Sequence, residues 1–153
     1  MSLVIAVVAI IVVVASYLTM MAGRLDRLAV RVEAAASALD AQLARRAVVA
    51  YELSEAGSVE PLKVAARRAL DGDTDRGAAE SSLSRELRAS PEVAGVEEMS
   101  ILSRKVMLAR QFHNDAVRDL LALRRRRLVR WLHLYGRAVA PSYIEFDADE
   151  PNA

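Results

Sequence analysis

The residues of this chain best suited to chemistry are His113, Asn114 and Asp115, inside the stretch ARQFHNDAVRDL from Ala109 to Leu120. An imidazole next to a carboxylate suits a general base or a metal ligand, with Asp115 orienting His113. The spacing opposes both roles. Residues two apart on a helix project from different faces and cannot share a ligand. The only other histidine, His133, lies about 20 residues on, roughly 30 Å along the same helix. There is no HExxH or ExxH spacing and no cysteine to supply missing ligands. The acidic pairs Glu97-Glu98 and Asp149-Glu150 are adjacent residues, which diverge on a helix or sit in a terminal tail. No glycine-rich phosphate loop or nucleophile elbow is present. The expectation is a chain that is not an enzyme, with no catalytic residue, metal or cofactor.

The elements that carry these residues follow from composition. The chain has 153 residues, room for one small domain, and 54% of them are hydrophobic while only 5% are aromatic. Ala, Val and Leu supply the apolar character, which is the vocabulary of helix packing. The absence of cysteine excludes a disulfide framework and leaves the redox compartment open. The net charge of +1 hides a segregation of signs. The stretch from Arg104 to Arg130 is strongly basic, whereas after Pro141 come Glu145, Asp147, Asp149 and Glu150 with no Lys or Arg.

From Leu3 to Ala22 the sequence LVIAVVAIIVVVASYLTMMA runs for about 20 residues without a charge, enough for a helix spanning roughly 30 Å of hydrocarbon. Arg24, Arg27 and Arg31 follow on one flank, and no charged side chain precedes it. That asymmetry favours a cytoplasmic C-terminal domain. A cleaved signal peptide would need a basic n-region and a shorter apolar stretch, and Met20-Met21-Ala22 is a poor cleavage site. A buried core helix is the third reading, but so small a domain cannot cover so continuous an apolar surface.

After Gly23, Leu25, Leu28, Val32, Ala36, Leu39, Leu43, Ala47 and Ala50 recur at helical steps, predicting a long first helix that ends at Gly57 and Ser58. A short helix follows, with Ser58 as cap and Pro61 in its first turn, stopping at Asp71-Gly72-Asp73. A second short helix spans Gly77 to Arg88, entered through Asp73 or Thr74. Ser90-Pro91-Glu92 supplies another cap signal. A last long helix, starting at that cap or, because of Gly95, nearer Val96, runs to Gly136 and carries Met99, Leu102, Val106, Ala109, Val117, Leu120, Leu128 and Trp131 on one face. No strand-like alternation or fixed repeat competes. The predicted fold is all-α: a transmembrane helix, residues 1–23, then an antiparallel up-and-down bundle of two long and two short helices, residues 24–140, and an acidic tail, residues 141–153.

In such a bundle, Arg24 and Arg130 sit level at the membrane surface. Asp40 and Asn114 then each lie about 16 residues, or about 24 Å, along their helices and face one another. Asp40, Gln42, Arg110 and Asn114 would form a polar packing layer that fixes register, since a slipped arrangement strands buried polar groups at roughly 1–3 kcal/mol each.

The segment RRRRLVRWLHLYGR, Arg124 to Arg137, combines charge with aromatics. It has no recognised nucleic-acid docking motif, so nucleic acid is not expected as a partner. A solvated or helix-pairing face is one reading. Membrane lipid is the other: Arg124, Arg125, Arg126, Arg127 and Arg130 suit anionic head groups, with Trp131 and Tyr135 at interface depth.

Two stretches resemble the signature segments of the LemA family of bacterial membrane proteins. RVEAAASALDAQLARR matches that family's Asp-x-Gln-Leu-x-Arg-Arg pattern through Asp40, Gln42, Leu43, Arg45 and Arg46. ARQFHNDAVRD matches its second segment through Ala109, Arg110, Asn114 and Val117, with His113 where the family prefers Tyr. Pro141, Tyr143, Ile144 and Glu145 resemble its C-terminal Pro-x-Tyr-Phe-Glu ending. The stretch from Ala47 to Val96 matches poorly, the family's Asp-Leu-Ile-Pro-Asn-Leu-Val stretch is missing, and Leu120-Leu121 replaces a second Tyr-Asn. The resemblance implies one N-terminal membrane helix followed by long bundled helices, and no defined activity. The expected role is therefore an interaction or scaffolding element at the inner face of a bacterial membrane, with a protein partner or a second copy on its exposed faces. A lipid-directed, membrane-organising role through residues 124–137 is the alternative.

Overall fold

A computed structural model describes residues 1–71 and 75–125. It contains five helices in chain order: α1 Ser2–Ala56, α2 Glu60–Leu70, α3 Arg76–Ala89, α4 Pro91–Ala94 and α5 Glu97–Arg124. No strand occurs among the described residues, in keeping with the all-α expectation.

The helical periodicity of the sequence identifies the buried faces. On α1, Leu25, Val32, Leu39, Leu43, Ala47 and Ala50 are buried, with Leu28 and Ala36 half-buried beside them. On α5, Met99, Leu102, Val106, Val117 and Leu120 are buried. Leu128 and Trp131, expected on the same face, lie outside the described residues. Two departures concern helix ends. The expected separation of a membrane helix from a bundle helix at Gly23 does not occur, because α1 is a single helix of 55 residues. One glycine costs a helix only about 1 kcal/mol, too little to end it when both flanks favour the helix.

The second departure is at the α1–α2 corner. Ser58 does not cap α2; the N-cap position is Val59, without a side-chain cap bond. Ser58 instead takes the left-handed conformation, φ 56°, which glycine adopts more readily than serine. The Val59 N–H donates to the Ser54 carbonyl at 2.9 Å and the Ser58 N–H to the Glu55 carbonyl at 3.3 Å. This is the paired bonding that closes a helix around a left-handed residue. Leu53 and Val59, which flank the motif, both pack on the core. Glu55 and Lys63 close the corner from outside with a 3.0 Å ion pair.

α3 is capped by Asp75, whose Oδ1 accepts from the Ala78 N–H at 3.0 Å. Asp73 and Thr74, the expected caps, lie outside the described residues. The Ser90-Pro91-Glu92 signal produces the one-turn helix α4. There Ser90 accepts through its backbone carbonyl from Val93 and Ala94, at 3.1 and 3.0 Å, and makes no side-chain cap bond.

The chain divides into two compact units. In the first, whose described residues are 1–34 and 115–125, the buried residues are Met21, Leu25 and Val32 from α1 and Ala116, Val117, Leu120 and Leu123 from α5. Arg31 and Asp119, both exposed, face one another at 3.7 Å. In the second, described over 35–71 and 75–114, α1 and α5 run antiparallel. Leu39 and Leu43 pack with Val106 and Ala109, and Ala47 and Ala50 share a core with Met99 and Leu102. α2 and α3 complete that core with Leu62, Ala66, Ala69, Leu83 and Leu87. The many alanines allow close helix approach with little area per contact.

Candidate functional site

Three sets of residues have the makings of a site. The first is the leading part of α1. It is long and apolar enough to cross a membrane, and none of its most apolar window is buried against the rest of the protein. Val4, Ile5, Val7, Val8, Ile10 and Ile11 are all exposed. Within this stretch the Thr19 hydroxyl donates to the Ala15 carbonyl at 2.9 Å, so its polar group is satisfied on its own helix.

The second set is an interior polar cluster in the second unit, and sequence reasoning missed it. Arg46 from α1 and Glu80 and Ser84 from α3 are buried to 1% exposure or less. Arg46 Nη2 donates to Glu80 Oε2 at 2.8 Å and to Ser84 Oγ at 3.3 Å. Arg46 Nε and Glu80 Oε1 have no partner within the protein, nor has the buried Oε1 of Gln42, one helical turn before Arg46. Burial pushes the Glu80 carboxyl above the ordinary carboxylate range, and Arg46 and then Arg76 pull it back only in part. Closed from solvent, the cluster holds α3 on α1. Breaking a buried pair by removing one partner costs far more than the intact pair contributes over an apolar core. Arg46 falls three residues after Leu43 on the apolar stripe, and Glu80 and Ser84 are one turn apart on α3, but neither spacing pairs the two helices.

The four residues expected to form a polar layer differ in exposure. Asp40 is exposed and takes Arg76 of α3 at 3.4 Å. Gln42, Arg110 and Asn114 are half-buried. Of the family-like segment, Leu43 and Arg46 point inward while Asp40 and Arg45 are exposed.

The third set is the His-Asn-Asp trio. His113 is buried, 4% exposed, and neither ring nitrogen has a partner within the protein. Asp115 does not orient it: its Oδ1 accepts from Arg118 Nη1 at 3.0 Å on the same helix. Among the described residues no three His, Cys, Asp or Glu side chains converge as a metal site would require. His133 lies outside the described residues.

Of the basic segment, Arg124 is half-buried and Arg125 exposed at the end of α5. Arg126, Arg127, Arg130, Trp131 and Tyr135 lie outside the described residues. Glu97 and Glu98 occupy the first turn of α5, where acidic side chains complement the helix dipole.

No protein-family model, curated protein or solved structure matches this chain.

Proposed function

We propose that this chain is a single-pass protein of the bacterial inner membrane whose helical domain lies in the cytoplasm and serves as an interaction or scaffolding element, without catalysis. The observation that carries the reading is the unburied apolar start of α1, continuous with the helix that builds the domain. An apolar surface of that size in water would drive aggregation, whereas in a bilayer it is satisfied and every backbone group is bonded within the helix. Arg24, Arg27 and Arg31 on the downstream flank support the orientation. The resemblance of Arg31–Arg46 and Ala109–Asp119 to the LemA segments supports the same architecture.

The test is carbonate extraction of membranes bearing the full chain, with protease access to a C-terminal tag. Retention in carbonate, release by detergent and protection of the tag in intact cells stripped of their outer membrane are expected. Release by carbonate alone ends the anchor, and a mature chain beginning after Ala22 identifies a cleaved signal instead.

The run of four arginines at 124–127 favours a second reading, a lipid-directed element that organises the membrane. Charge reversal of those four residues separates the two. It abolishes preference for anionic vesicles if lipid is the target and spares a partner docked on remote faces.

A further inference from the structure

The buried contact between α1 and α3 contains three polar atoms that the protein itself does not satisfy: Arg46 Nε, Glu80 Oε1 and Gln42 Oε1. Two of them flank a bond that is made. Nε belongs to the guanidinium whose Nη2 donates to Glu80 Oε2 at 2.8 Å, and Oε1 belongs to the accepting carboxyl. A side-by-side fork would have joined Nε to Oε1 directly. Here Nη2 also donates to Ser84 Oγ at 3.3 Å, which commits the guanidinium to an end-on approach and leaves both atoms open. The third atom comes from the same stretch of α1. Gln42 lies between Asp40 and Arg46, whose partners on α3 are Arg76 at 3.4 Å and Glu80 at 2.8 Å. It precedes Arg46 by one helical turn on the same face.

We infer that one buried water molecule is bound among these three side chains as a fixed part of the α1–α3 contact. The choice of ligand follows from the donors and acceptors present. Arg46 Nε–H only donates, whereas the carboxyl and amide oxygens accept. A cation would suit the two oxygens but oppose the arginine, and an anion would suit Nε but strand the oxygens. Water takes the Nε–H on one lone pair and gives its two hydrogens to Glu80 Oε1 and Gln42 Oε1, within the range of about two to four bonds that a buried water makes. When Glu80 carries its proton on Oε1, the carboxyl donates to the water's second lone pair and the site stays filled.

Without the water, three buried groups keep a desolvation cost with no bond in return. With it, Gln42 and the ion pair form one network, which is lost if α3 shifts along α1. This inference does not depend on the membrane reading.

The test is water–protein cross-relaxation by nuclear magnetic resonance on the isotope-labelled full chain in detergent micelles. Among the described residues Arg46 is the arginine closed from solvent, so its Nε–H proton is protected from exchange and gives its own resonance. A cross-peak to water is expected, with the laboratory-frame and rotating-frame effects of opposite sign. That pattern marks a water held beside the proton, whereas a proton exchanging with solvent gives effects of the same sign. The peak should persist in Ser84→Ala and in Glu80→Gln, which remove the hydroxyl and carboxyl protons able to relay the signal. It should weaken at least about twofold in Gln42→Leu, which takes away one of the water's partners. Helical circular dichroism checks that each variant is folded. No cross-peak, effects of the same sign, or loss of the peak in Ser84→Ala or Glu80→Gln would overturn the inference. So would a peak indifferent to Gln42→Leu, because the bridge needs that third side chain.

Discussion

Arg46 Nη2 of α1 lies 2.8 Å from Glu80 Oε2 of α3, with both side chains closed off from solvent. The relationship ties the longest helix to a short one at a point where neither charge has water to return to. Arg46→Met removes one partner and leaves a buried carboxyl alone, so a loss of about 3–5 kcal/mol in urea unfolding is expected. Arg46→Met combined with Glu80→Met should recover most of it, since apolar replacement of both members is often neutral or stabilising by about 1–4 kcal/mol. A double variant no better than the single would mean that the cluster does more than hold register.

The same pair sets a pH dependence. Burial holds the proton on Glu80 to a higher pH than in the unfolded chain, where the carboxyl titrates near 4.5. Its contribution to stability is therefore complete below about 4.5 and is lost as pH rises through the folded-state value. Compared with Glu80→Gln, the wild type should lose relative stability as pH climbs from 4 toward neutrality. A difference that stays flat, or grows in favour of the wild type, would contradict the direction of the shift.

Glu55 has the opposite sign. Its hydrogen bond and ion pair with Lys63 hold the carboxyl below its ordinary value. The contribution is present above the ordinary carboxylate range and is lost as pH falls through the depressed value. Both groups lie at the surface, so the effect is small and sensitive to salt. Glu55→Gln should flatten the acid side of the stability profile at low ionic strength and do little at high.

At the α1–α2 corner, Ser58→Gly should stabilise the protein by about 1 kcal/mol, because serine bears a left-handed backbone cost that glycine does not. Gly57→Ala should be nearly neutral, since a Cβ there meets the Leu53 carbonyl at an ordinary 3.4 Å. The reverse ranking in thermal melts would place the left-handed residue at Gly57.

Asp75→Ala removes the acceptor for the Ala78 N–H and should cost about 1 kcal/mol. Substituting Asn for Asp75 should preserve most of that stability, because the cap needs an oxygen and not a charge.

Local spacing alone was enough to determine the all-helical class, the buried stripes through Leu39, Leu43, Val106 and Val117, and the apolar run from Leu3 to Ala22. Helical period places residues three and four apart on one face whatever surrounds them. Residue types at the α1–α2 corner announced a turn but not its register. Gly57 looked like the closing residue, yet Ser58 holds that conformation in the structure where Leu53 and Val59 pack on the core. Only the tertiary structure decided which polar groups go inside. Asp40 and Arg46 are six residues apart on the same helix, and the sequence singled out the first. The rotation of α1 against α3 gives Asp40 an exposed arginine and closes Arg46 over Glu80. Burial of a charge depends on which neighbour's surface meets it, and that is a property of two helices together, which no spacing along one of them encodes.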